Sequence, residues 1–116
     1  MTTVKSSKAK ARRLQDFVRD YLLKEYSSLV QGEDVRSAIM GETGVDIKLS
    51  AAALSLFPYS VECKAYRRPQ AQDWFDQARA NTMKGSKPIV VMRADRKRPL
   101  VLLDLEDFFG ILRKVK

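Results

Sequence analysis

Four consecutive apolar residues, Ile89-Val90-Val91-Met92, interrupt a chain otherwise dense in charge. Successive side chains of a strand point to opposite faces, so an unbroken apolar run suits a strand covered on both sides. Leu100-Val101-Leu102-Leu103 repeats the pattern after a charged turn, Ala94 to Pro99. Strands covered on both faces need flanking layers above and below, and 116 residues suffice for one such core but not for two.

The flanking layers are expected to be helices. Leu14, Phe17, Val18, Tyr21 and Leu22 recur at helical spacing and predict a helix from Ala9 to about Tyr26 with one apolar stripe. Asp16 falls opposite that stripe, in solvent. Gln15 falls on its shoulder, where it can look into a cleft. A second helix is expected from about Gln70 to Met83, with Ala71, Trp74, Phe75 and Ala78 inward and Gly85 as its stop. The last helix has Asp104 as N-cap, Glu106 and Asp107 in its first turn, and Arg113 and Lys114 in its last, which matches the macrodipole. Leu105, Phe108, Phe109 and Leu112 form its expected buried face. Ser50 caps a short helix over 51–56 that Pro58 stops.

Three further strands are expected. Val35 to Met40 alternates weakly, Val45 to Leu49 cleanly, and Tyr59 to Tyr66 most clearly of all. The sum is an α/β chain: a flexible basic arm over 1–7, then one domain over 8–116 with a central mixed sheet of about five strands flanked by helices.

Histidine is absent. That removes Ser-His-Asp and Cys-His catalysis, His-ligated zinc and any histidine general base. One cysteine, Cys63, can form no internal disulfide and favours a reducing compartment, so a cytoplasmic setting is expected. No apolar run approaches the roughly 20 residues that span a bilayer, and no membrane partner is expected. The net charge is +8, and Lys5, Lys8, Lys10, Arg12 and Arg13 precede the first acid, Asp16. A polyanion, nucleic acid first among them, is the expected partner.

Chemistry therefore rests on carboxylates, lysines, hydroxyls or a hard metal ion. An acid followed two residues later by lysine occurs at Asp46-Ile47-Lys48, Glu62-Cys63-Lys64 and Asp95-Arg96-Lys97. The last sits in a polar connection and reads as a solvated turn. The first two lie on alternating strands, which place acid and lysine on one face. On adjacent strands Asp46, Glu62 and Lys64 can converge, and two close carboxylates suit Mg²⁺ or, in its place, Mn²⁺. The Cys63 carbonyl is a further oxygen donor; its thiol points to the opposite, buried face.

These residues resemble the PD-(D/E)XK nuclease superfamily, and within it the small phage-encoded endonucleases that are similar to Holliday junction resolvases. The likeness runs from Lys8-Ala9-Lys10-Ala11-Arg12-Arg13-Leu14-Gln15 to the final helix. It is carried by Asp34-Val35-Arg36-Ser37, by Met40-Gly41 through Gly44-Val45-Asp46, and by Leu56-Phe57-Pro58-Tyr59-Ser60-Val61-Glu62-Cys63-Lys64. Asp46 matches the first motif acid, and Glu62 with Lys64 matches the (D/E)XK pair. Val45 stands where the motif name has proline. The resemblance implies a restriction-endonuclease-like core and Mg²⁺-dependent hydrolysis of phosphodiesters in branched DNA such as four-way junctions. It also implies a homodimer, and the host-cell cytoplasm if the chain is phage-encoded. It gives Gln15 and Gln77 as accessory catalytic positions; Gln15 stands where related resolvases often have Glu. Lys8, Lys10, Arg12, Arg13, Arg36, Ser37, Arg67 and Arg68 are the candidate DNA contacts. A non-catalytic basic DNA-binding domain and a nuclease of linear duplex are the alternatives.

Overall fold

The computed structural model describes residues 4–114. Among them the elements follow in the expected order: α1 (Val4–Glu25), β1 (Val35–Ser37), β2 (Ile47–Leu49), α2 (Ala51–Leu56), β3 (Tyr59–Tyr66), α3 (Ala71–Ala80), β4 (Lys87–Ala94), β5 (Leu100–Leu103) and α4 (Leu105–Lys114). Of the flexible arm expected over 1–7, residues 1–3 lie outside the described residues and the rest opens α1. No described helix is long and apolar enough to cross a membrane.

The class is α/β, but the five strands form two sheets. β3 and β4 pair in parallel along their whole length, with α3 as the crossover, and β5 runs antiparallel on β4. β1 and β2 make a separate antiparallel pair. The two sheets meet at Asp46. Its amide donates to the Val61 carbonyl at 3.0 Å while its own carbonyl accepts from Ala38 at 2.8 Å. Beyond that point β2 gives way at Ser50 to α2, so pairing with β3 does not propagate. Ser50 is the cap the sequence predicts: its hydroxyl accepts from the Ala53 amide at 3.0 Å and donates to Asp34 at 2.7 Å.

Val90 and Val91 point to opposite faces of β4, and both are buried. Val91 joins Leu14, Val18 and Leu22 of α1, together with Ile47, Val61 and Cys63. Val90 joins Trp74, Phe75 and Ala78 of α3. The three-layer arrangement inferred from the apolar run is thus present around β3 and β4.

Two expectations fail at its margin. β5 is an edge strand, and Leu100 and Val101 are 59% and 58% exposed rather than covered. The apolar face of α4 is not buried: Leu105, Phe108, Phe109 and Leu112 are all exposed, Leu105 at 71%. Both sheet faces are already taken by α1 and α3, and Asp104 starts α4 immediately after β5 with no loop to fold it back. Asp104 does cap the helix, accepting from the Asp107 amide at 3.1 Å. Phe17 and Tyr21 stay exposed as well, their rings tilted against each other with centroids 6.1 Å apart.

Ile47 is wholly buried, so Ile47→Ala is expected to cost about 2–5 kcal/mol in urea unfolding. Leu105→Ala, measured at low protein concentration, is expected to change stability by less than about 0.5 kcal/mol. A large loss in the second variant would mean that α4 is covered within one chain.

Candidate active site

Alternation along β3 turns Glu62 and Lys64 towards the α3 side, opposite to Cys63 and Val61. Lys64 Nζ lies 3.6 Å from Glu62 Oε1 and donates to Gln77 Oε1 at 2.9 Å. Gln77 reaches the site from the exposed flank of α3. The Asp46 carboxylate comes in from the other side, accepting from the Cys63 amide at 2.7 Å. Asp46, Glu62, Lys64 and Gln77 are therefore brought together by one strand and its two neighbours.

Glu62 is only 4% exposed, and its Oε2 is buried with no hydrogen-bond partner among the described residues. Burial, and next the charge of Asp46, push its carboxyl up to about 7 against the opposing pull of Lys64. Asp46 is raised as well, first by burial; the Cys63 amide and then Lys64 and Lys48 oppose the rise. Two acids facing each other in a poorly solvated place leave a deficit of positive charge once both ionise. The Cys63 thiol is also pushed up, by burial and then by the two acids, and stays protonated at neutral pH.

The donor set suits a hard cation. Both carboxylates are oxygen donors, and Oε2 of Glu62 has no other partner. A strand residue's N–H and C=O point to the same side, so the Cys63 carbonyl shares the edge that Asp46 occupies. Mg²⁺ is commonly held by one or two carboxylates, with water and substrate phosphate completing its shell. Among the described residues no group of three or more His, Cys, Asp or Glu side chains gathers to hold a metal.

The remaining candidates lie elsewhere. Gln15 lines a cleft of about 470 Å³ between α1 and the β1 segment, with Asp16, Arg19, Arg36 and Ser37 among its walls. No hydrogen bond joins Gln15 to the carboxylate pair among the described residues. Asp16, expected free in solvent, instead accepts from Ser37 at 2.8 Å and Arg19 at 3.2 Å, because β1 packs along that flank of α1. Arg36 is closed onto Glu42 by two bonds of 2.9 and 2.8 Å, which hold the Glu42 carboxyl down at about 2. Lys10 is paired with Asp95 at 2.9 Å. Lys8, Arg12 and Arg13 are exposed on α1, and Arg67 and Arg68 are exposed just after β3. Sequence reasoning missed Arg93 and Arg96, which join Lys10 and Arg13 around a smaller cleft of about 150 Å³. Arg96 lies within the segment taken for a solvated turn and Arg93 just before it, and only the packing of α1 across the sheet end gives them a setting.

No family model matches the chain, and neither does any curated protein or solved structure.

In the metal-free protein, Glu62→Gln is expected to stabilise the fold at pH 8 by on the order of 2 kcal/mol. The sign follows from the raised carboxyl: the folded state holds the proton more tightly. The penalty is thus absent below the unfolded value of about 4.3, grows as pH rises to about 7, and is complete above it. Urea unfolding of both proteins at pH 4 and pH 8 checks this. A stability difference that does not change with pH would remove the buried charge as its cause.

Proposed function

We propose that the protein is a Mg²⁺-dependent DNA endonuclease of the PD-(D/E)XK type, hydrolysing phosphodiester bonds in branched DNA such as a four-way junction. The observation that carries the proposal is the buried, unpartnered Glu62 oxygen beside Asp46, with Lys64 against the same carboxylate. Ionised carboxylates in such a place are stabilised by a divalent cation. The order of α1, β1, β2, β3, α3 and β4 also supports a restriction-endonuclease-like core, with Asp46 linking the two sheets.

In this reading Asp46, Glu62 and the Cys63 carbonyl hold Mg²⁺, with Mn²⁺ able to take its place. When bound, the ion polarises the phosphodiester and makes a coordinated water more acidic. Lys64 sets a positive charge beside Glu62, where it can orient the attacking water or stabilise charge on the phosphate. Gln77 is a positioning residue: it accepts from the Lys64 ammonium and leaves that group two further protons to donate. Gln15 is given no step, since it faces the cleft beside α1.

Preference for junctions rests on the resemblance carried by the motif residues. Symmetric cutting of two strands needs two sites, hence a homodimer, for which the exposed apolar side of α4 offers a surface. The pairing of Arg36 with Glu42 and of Ser37 with Asp16 favours Lys8, Arg12, Arg13, Arg67 and Arg68 as the available DNA contacts.

Purified protein is expected to cut a mobile four-way junction with Mg²⁺ or Mn²⁺ and not in chelator. Equal cutting of linear duplex of the same sequence would remove junction selectivity, and binding with no cutting would favour the non-catalytic domain. Asp46→Asn keeps an acceptor for the Cys63 amide, so it is expected to stay folded and bind DNA while losing cleavage by about 100-fold or more. Lys64→Ala is expected to lose cleavage likewise, and Gln77→Ala about 10-fold. Full activity in Asp46→Asn would dismiss the proposed metal site.

A further inference from the structure

The β4–β5 turn holds a backbone conformation that its sequence does not favour. Arg96 has φ of 62°, in the third position of a turn closed by the Lys97 amide on the Ala94 carbonyl at 3.1 Å. Glycine or asparagine is the relaxed choice there, and a long side chain held in that position points to a use for it. Arg96 lines the 150 Å³ cleft together with Lys10 and Arg13 of α1 and Arg93 of β4; Leu14 and Ala65 are also in its wall. The cleft lies at the carboxyl ends of parallel β3 and β4, whose last pair is Tyr66 with Ala94. That end of an open α/β sheet is where ligand crevices form.

Four cations around so small a space repel one another. Asp95 is the acid among them, and it holds Lys10. That bond, with the charges of Lys10, Arg67 and Arg96, keeps the Asp95 carboxyl below the usual range. Arg93 is anchored by its Nε, which donates to the Lys97 carbonyl at 2.9 Å. Its two terminal amino groups have no partner among the described residues, and neither Arg13 nor Arg96 is tied there by a hydrogen bond or ion pair.

We propose that this cleft is a subsite for the phosphodiester backbone of nucleic acid, with Arg13, Arg93 and Arg96 as phosphate ligands and Lys10 joining them by exchanging Asp95 for phosphate. Planar guanidinium groups match phosphate oxygens in pairs, so two or three can engage one backbone segment. Asp95 acts as the placeholder: it satisfies Lys10 in the free protein and is the group a phosphate displaces. Ala65 and Leu14 put the subsite on the α1 side of β3, the face opposite Glu62 and Lys64. It is a binding site in its own right and does not depend on cleavage.

The test is fluorescence anisotropy of the full chain with a labelled duplex, in chelator, over a range of salt concentrations. Arg93→Ala and Arg96→Gly are each expected to weaken binding about 3- to 10-fold and to lower the salt slope by about one. Arg96→Gly relaxes the left-handed residue, so its melting temperature is expected to hold or rise while affinity falls, which separates binding from folding. Asp95→Asn frees Lys10 and is expected to tighten binding about 3- to 10-fold, more than Glu106→Gln in the first turn of α4, which removes the same charge. Unchanged affinity and slope in both arginine variants would overturn the subsite, as would a wild-type chain that binds no duplex. Inorganic phosphate separates the two sources of the ligand chemistry. Displacement of duplex by phosphate too dilute to alter ionic strength would assign the cleft to a free anion and overturn the backbone assignment. Because cleavage is suppressed throughout, failure of the nuclease proposal leaves these outcomes intact.

Discussion

One residue, Asp46, joins the two sheets. Its amide and carbonyl bond β3 and the end of β1, and its carboxylate takes the Cys63 amide on the free edge of β3. Buried backbone donors are almost always paired, and among the described residues no strand pairs with this edge of β3 at this point. The carboxylate supplies what a ladder would. This fixes the acid within reach of Glu62 and prevents it from turning to solvent. The spacing of the two acids in the fold is a consequence of how the sheets are joined.

That arrangement is electrostatically costly. Glu62 lies between α3 and the sheet, near Asp46, with one of its oxygens unpartnered. Lys64 offsets part of the repulsion from 3.6 Å, but it also donates to Gln77. A packed amide or apolar residue would serve the fold better there, since buried charge is retained at a cost in stability. Local conflict of this sort, in a chain whose caps and apolar faces otherwise agree, marks a place shaped by something besides folding.

Much of this could be read from the chain. Strict alternation over Tyr59 to Tyr66 puts Glu62 and Lys64 on one face and Cys63 on the other, and the structure keeps that division. Ser50 and Asp104 announce their helices because capping is local chemistry. What spacing could not supply is contact between distant segments. That Asp46 meets the Cys63 amide, that Ser37 meets Asp16, or that Arg96 stands across from Arg13 depends on how elements pack. The break between β2 and β3 was hidden for the same reason: strand periodicity names the faces of a strand but not its neighbour.

The same limit explains α4 and β5. A period of 3.6 tells which side of a helix is apolar, and a continuous run tells that a strand has two apolar faces. Neither tells whether the fold has a layer left to cover them. Here a three-stranded sheet has two faces; α1 takes one and α3 the other. The stripe of Leu105, Phe108, Phe109 and Leu112 is as regular as that of Leu14, Val18 and Leu22, yet only the second is buried. The difference lies in chain geometry. α1 is free to lie across the sheet, whereas α4 starts one residue after an edge strand and continues past its end. Exposed apolar side chains on α4, on β5 and at Phe17 and Tyr21 are therefore what remains after the available layers are used, and any cover for them must come from outside this set of layers.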